Sequence, residues 1–250
     1  MQDAAFVDGY DILIATTRND PDHEMHLLGM LFSRAVDGVV LLAPKLDSKT
    51  ISDLSKRYRI AICLERLDIN DILCVTIDNE RAGFDATSYL IGKGRRRIGL
   101  ITTEVRSQSS VDRENGYMRA LNAANIPFDP DLVYYGDYDA DTGTRGCEAL
   151  INLPNKPDAI FSISDTISIG AMTYAVQHGI TVGKDLLFFG FDNIAYSHMF
   201  MPRLSTVEQP CYLQGKTVIE KHIANRKTDE PDKSTYMLPH SLILRESTGD

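Results

Sequence analysis

The chain has 250 residues, 43% of them hydrophobic and 24% charged, which is enough apolar side chain for one large core or two small ones and too much for a disordered chain. Its net charge of −9 argues against nucleic-acid binding by this chain alone, because phosphate contacts need a basic face. No apolar run is long enough to span a membrane, and the first residues carry neither the basic nor the apolar region of a signal peptide. Cys63, Cys74, Cys147 and Cys211 show no paired spacing, and three lie in or near apolar runs, so reduced thiols and a cytoplasmic location are expected.

In chain order, residues 1–8 read as the tail of a helix closed by Gly9. Residues 10–17 read as a strand, since Ile12, Leu13, Ile14 and Ala15 form the continuous apolar run of a buried parallel strand. Asp20-Pro21 starts a helix carrying Met25, Leu27, Leu28, Leu31 and Phe32. A strand is expected over 36–43, and Asp47 or Ser48 caps a helix running to Tyr58. Strands over 60–64 and 73–77, a helix over 82–92 and a strand over 97–102 follow. The first hundred residues thus repeat a β–α unit.

Residues 105–111 read as a polar loop and 112–122 as a helix with Tyr117, Ala120 and Leu121 on one side. A strand over 132–135 and a helix over 142–153, stopped by Pro154, come next. Two apolar runs, 159–163 and 186–191, are each followed by an aspartate, Asp165 and Asp192. Between them a helix over 166–178 ends at Gly179. Strand, helix, strand implies parallel strands, and in open parallel sheets ligands bind beyond the carboxyl ends of the strands. Residues 206–209 read as a crossover, 212–224 as a helix, 229–233 as a charged loop and 238–245 as a last strand.

The pieces PDAIF, SDTISIGAM, GITVGKDLLFFGFDN and PRLSTVEQP are long and ordered, and they resemble the core of the LacI/GalR family of bacterial transcription regulators. The likeness continues through GYDILIATT, RAVDGVVLLAP, VTIDNERAG, IGKGRRRIGLI, RENGYMRAL and LPHSLILREST, nearly the whole chain. The resemblance implies an α/β fold of two Rossmann-like lobes with parallel sheets joined by a three-segment hinge, as in type I periplasmic binding proteins. On this reading residues 1–103 with 208–237 form one lobe and 104–207 with 238–250 the other. It further implies a small-molecule effector, a sugar or related metabolite, bound between the lobes, and operator DNA bound through a helix-turn-helix domain that this sequence does not show. In the family the core opens with a strand and helix ahead of GYDILIATT, so a truncated first lobe is expected. A homodimer is a further expectation from the family. A solute-binding protein of a transport system is the alternative that shares the fold.

Each candidate site residue carries a local alternative. Asp192 is a turn residue or a carboxylate for ligand hydroxyls. Asp165 caps the following helix or touches ligand, with Ser164 beside it as a donor. Arg113 sits at the expected start of its helix, where the dipole does not favour a cation, and the family uses this position to grip effector. Tyr138 packs, or stacks on a sugar or base ring as in relatives. Glu65 ends a strand as a surface turn or as a ligand contact. Gln209 lies on the expected crossover beside the cleft. His23 and His26 are three apart rather than the four a zinc-protease helix needs. No nucleophile elbow or phosphate-cradling glycine loop occurs, so no metal, cofactor or catalysis is expected.

Overall fold

A computed structural model describes residues 1–228 and 230–250, so Asp229, at the head of the expected charged loop, lies outside it. In chain order the elements are α1 (Gln2–Val7), α2 (Pro21–Phe32), β1 (Val39–Leu41), α3 (Ser48–Ser55), β2 (Ile60–Cys63), β3 (Leu73–Ile77), α4 (Asn79–Gly92), β4 (Ile98–Thr103) and α5 (Gln108–Ala123). They continue with β5 (Val133–Gly136), α6 (Ala140–Ile151), β6 (Ala159–Ser162), α7 (Asp165–Gln177), β7 (Leu187–Asp192), β8 (Ser205–Glu208), α8 (Cys211–Ala224), β9 (Thr235–Leu238) and β10 (Ser241–Ile243). The chain divides into two units, Met1–Ile77 with Pro210–Leu238, and Asp78–Gln209 with Pro239–Asp250.

The first unit is a parallel sheet in the order β1-β2-β3-β9. Its central strands β2 and β3 are buried along their whole length because both faces are covered, whereas the edge strand β9 alternates between exposed and half-buried residues. Ala61, Cys63, Leu73 and Val75 pack with Val218, Ile219 and Ile223 of α8 and Ala5 of α1. Ile60, Ile62 and Cys74 face the other way, onto Leu28 and Leu31 of α2 and Ile51 of α3. Asp20 and Asp47 cap α2 and α3, each accepting from backbone N–H groups of the first turn.

The expected strand over 10–17 does not form. A strand is stable only when its backbone groups find a ladder, and among the described residues none pairs with this run. Tyr10 and Ile12 rest on the core, whereas Leu13 and Ile14 are 70% and 84% exposed. β1 is accordingly an edge strand with β2 as its neighbour.

The second unit is a six-stranded sheet, β10-β8-β7-β6-β4-β5, parallel except for β10 against β8. α4 packs on α5, and α6 on α7, at glycines where the helices approach closely. A Cβ on Gly116 would stand 2.2 Å from the Glu80 carbonyl oxygen, and one on Gly170 would stand 1.9 Å from that of Ala140. The end of the chain closes the unit: the Ser247 hydroxyl donates to the Phe188 carbonyl at 2.7 Å and accepts from the Ser205 N–H at 2.8 Å.

The boundary expected at residue 103 falls instead after Ile77. α4 and β4 belong to the second unit, because β4 pairs with β5 and β6. The chain passes from unit to unit three times, after Ile77, Gln209 and Leu238. The last expected strand, 238–245, is two strands divided between the units, β9 beside β3 and β10 beside β8.

Candidate ligand-binding site

Five strands of the second unit, β4 to β8, run parallel and bring their carboxyl ends to one side of the sheet. Arg113 comes to that side on α5. The helix starts at Gln108, capped by the Ser107 hydroxyl, so Arg113 lies in its second turn rather than at its start, and the expected clash with the dipole falls away. Arg113 is 5% exposed, and its guanidinium is well paired. Nε donates to Asn79 Oδ1 at 2.9 Å, and Nη1 donates to the Ile163 carbonyl at 2.7 Å and to the Tyr138 hydroxyl at 3.2 Å. Its central carbon lies 3.6 Å from the centre of the Phe191 ring, a cation–π contact in a largely desolvated place.

Asp192 ends β7. Its Oδ1 lies 3.8 Å from Arg113 Nη1 and accepts from Gln209 Nε2 at 2.6 Å. Burial raises its carboxyl above the ordinary carboxylate range, while Arg113 and Gln209 pull the other way. The side chain keeps 23% of its surface open. Gln209 Oε1 is buried with no hydrogen-bond partner, a state that costs about 1–3 kcal/mol. Tyr138 turns its hydroxyl towards Arg113, and burial raises the phenol's pKa. Half of its surface stays exposed.

The backbone around Asp192 is strained. Asp192 has φ of 116° and Asn193 φ of 55°, each a conformation costing roughly 1–3 kcal/mol for a residue other than glycine. Asn193 is held on three sides. Its N–H donates to Thr206 Oγ1 at 3.4 Å, its Oδ1 accepts from Arg245 Nη2 at 2.7 Å, and its Nδ2 donates to Glu208 Oε1 at 2.9 Å.

The structure therefore gathers Arg113, Tyr138, Asp192 and Gln209, with Ser164 beside Tyr138, and it gives two other expected contacts, Asp165 and Glu65, different surroundings. Ser164 is 1% exposed and is the cap of α7, accepting from the Ile167 N–H at 3.3 Å. Asp165 is fully buried and neither caps α7 nor offers a face to ligand. Burial raises its carboxyl to about 6 in spite of bonds from Ser197 and Thr206. Glu65 belongs to the first unit, at the end of β2, where it is 6% exposed and its Oε1 accepts from the Arg66 N–H at 3.3 Å. Asn79 and Phe191 were not anticipated. Asn79 stands in VTIDN beside the cap Asp78, where a second polar residue reads as part of the helix start. Phe191 reads as one more apolar residue of β7.

A separate cavity of about 360 Å³ opens at the amino end of β4, lined by Arg97, Tyr117 and Phe128 among others. Its polar groups are occupied, Tyr117 by the Ile98 carbonyl and Arg97 by Asp129 and the Asn155 carbonyl. The cluster of Arg113, Tyr138, Asp192 and Gln209 lies at the opposite, carboxyl end of the sheet.

Residues 87–248 match the periplasmic binding protein-like domain family. Catabolite control protein A of Priestia megaterium is 30% identical over 250 residues, covering 99% of this chain and 75% of that protein. The chain belongs to the LacI family of transcription regulators. A regulatory protein of the LacI family from Chloroflexus aggregans superposes with a TM-score of 0.87 at 29% identity, over 99% of this chain and 89% of that one. The cellobiose complex of the transcriptional regulator CelR gives 0.89 at 27% identity, over 98% and 76%. These LacI-family relatives are regulators rather than enzymes, and the transport-protein alternative loses support. Among the described residues no helix is long and apolar enough to cross a membrane.

Proposed function

We propose that this chain is the effector-sensing core of its regulator and that Arg113, Tyr138, Asp192 and Gln209 hold a small hydroxyl-rich effector, a sugar or close relative. The observation that carries this reading is the pairing of donors and acceptors at the carboxyl end of one sheet. Gln209 Oε1 is a buried acceptor with no donor, Asp192 keeps an open face, and Arg113 stands beside Asp192. A polyol supplies hydroxyls that donate to the two acceptors and accept from the guanidinium, while a ring face rests on the exposed part of Tyr138. The opposite charges of Arg113 and Asp192 offset each other, which suits an uncharged ligand. The relative whose structure was solved as a complex with cellobiose supports the sugar class.

Operator DNA would be bound by a helix-turn-helix domain outside this chain, whose own charge of −9 is unsuited to phosphates. Effector shifts the population of two conformations, and the shift changes operator affinity in a cytoplasmic homodimer. Thermal-shift screening against a panel of sugars and nucleosides tests the reading. A true effector at 100 times its Kd stabilises by about 2.7 kcal/mol. A panel in which nucleosides shift the midpoint and sugars do not would replace the proposed class.

A further inference from the structure

We propose that Asp165 is a positioning residue for the ligand site: it fixes the strained Asp192–Ile194 turn from beneath and so holds the Asp192 carboxylate beside Arg113 and Gln209. The proposal rests on the assignment of Asp192 to the ligand site.

The carboxylate of Asp165 is consumed entirely by that turn and its supports. Oδ2 accepts from the Ile194 N–H at 3.0 Å and from the Ser197 hydroxyl at 2.5 Å, and Oδ1 accepts from the Thr206 hydroxyl at 2.5 Å. Ile194 follows the two residues with positive φ, so the bond to its N–H pins the turn where it leaves the strain. Ser197 lies in the short helical turn that comes next, and Thr206 lies on β8, the strand beside β7. One carboxylate on α7 thus adds a shared side-chain tie to three segments that the β7–β8 ladder and the bond from the Leu204 N–H to the Ser197 carbonyl already bring near one another. Thr206 extends the tie, because its hydroxyl oxygen also accepts from the Asn193 N–H.

The fold makes room for this group at a specific place. A Cβ on Gly190 would stand 2.3 Å from Asp165 Oδ1, so glycine at that point of β7 lets the carboxylate lie against the strand. A helix cap would require none of this, and the cap of α7 is already supplied by Ser164. The charged groups near Asp165 are Asp192, which opposes its ionisation, and Arg245, which it favours. Arg245 in turn holds Asn193 through Nη2. The turn is therefore held from two sides by groups that do not face the ligand.

Hydrogen exchange on the purified chain tests the proposal without any ligand. In Asp165→Ala, the amides of 191–197 should exchange at least tenfold faster, while β4 and β6 change by less than twofold. Asp165→Asn, which keeps an acceptor for Ile194, should stay within threefold of the parent. The carbon-13 carboxyl titration of Asp192 should also move down towards the ordinary 3.8 in Asp165→Ala, because the carboxylate leaves its buried place. Should Asp165→Ala fail to fold, Ser197→Ala and Thr206→Val each remove one arm and should each speed exchange of 191–197 at least threefold. Unchanged local exchange, an increase spread evenly over β4 and β6, or Asn no better than Ala would overturn the proposal. Because these readouts need no effector, they stand or fall separately from the sugar screen.

Discussion

Asn79, the first residue of α4, accepts from Nε of Arg113 on α5 at 2.9 Å, and the two helices approach closely enough for this because glycines stand where they cross. The guanidinium is thereby aimed by groups that are not ligands. Its planar fork serves Asn79, the Ile163 carbonyl and Tyr138 at once.

Arg113→Lys should therefore cost more than a conservative exchange suggests. A single ammonium cannot reach all three acceptors, and each buried group left unpaired costs about 1–3 kcal/mol. Affinity for a sugar found in the thermal-shift panel should fall at least tenfold by isothermal titration. The melting midpoint should fall by roughly 2–4 °C for each kcal/mol lost. Parent-like affinity in the lysine variant would remove Arg113 from the site.

Asp192 combines a functional side chain with a costly backbone. Asp192→Ala and Asp192→Gly both delete the carboxylate, so both should weaken the same sugar about tenfold or beyond. They should differ in stability. Alanine keeps the penalty of φ at 116°, and glycine relieves it, so the glycine variant should be the more stable by about 1–2 kcal/mol in urea unfolding. Equal stabilities would mean the turn relaxes when the side chain goes.

His222 gives the first unit an acid-sensitive element. Burial lowers its pKa from 6.5 to about 4, and its Nε2 has no hydrogen-bond partner. A histidine whose folded pKa is depressed contributes stability that is complete above 6.5 and is lost as pH falls towards 4. The stability of the parent relative to His222→Leu should accordingly drop by roughly 3 kcal/mol between pH 7.5 and 4.5. The imidazole also fills the space over Gly38, where a Cβ would stand 2.2 Å from Nε2. Gly38→Ala should cost about 1–3 kcal/mol alone and little in a His222→Ala background. A pH-independent difference, or an unchanged cost in the double variant, would refute this packing.

The exposed pair Leu13 and Ile14 marks a sticky surface on the first unit, which also carries the open edge of β1. Replacing both with lysine should lower self-association in sedimentation experiments without lowering the melting midpoint, since neither side chain is buried. A lowered midpoint would show that the run is packed.

Much of this was legible in the sequence. The continuous apolar runs of β2, β3, β4, β6 and β7 announce parallel strands covered on both faces, and Gly179, with φ of 75°, closes α7 as its position implies. What such a run does not carry is the identity of its neighbours. The run 97–102 reads the same in either unit, and pairing with β5 and β6 alone assigns it. The run 10–17 is apolar enough for a strand and finds no ladder. Arg113, Tyr138, Asp192 and Gln209, each expected by position near a strand's carboxyl end, do lie in contact with one another. The competition between Ser164 and Asp165 for the cap was not legible in the sequence, because both chemistries suit it and only the bonds to Ser197 and Thr206 settle where Asp165 goes.

The antiparallel strand β10 and Ser247 come from the extreme end of the chain, yet they complete a sheet whose other strands end at Glu208. During synthesis, at roughly 5–20 residues per second, Asp78–Gln209 must wait on the order of seconds for its closing edge, while the segment that completes the first unit is made in between. Neither unit can finish folding while the ribosome is still elongating the middle of the chain, and β8 is the edge that nascent-chain binding factors would find exposed in that interval.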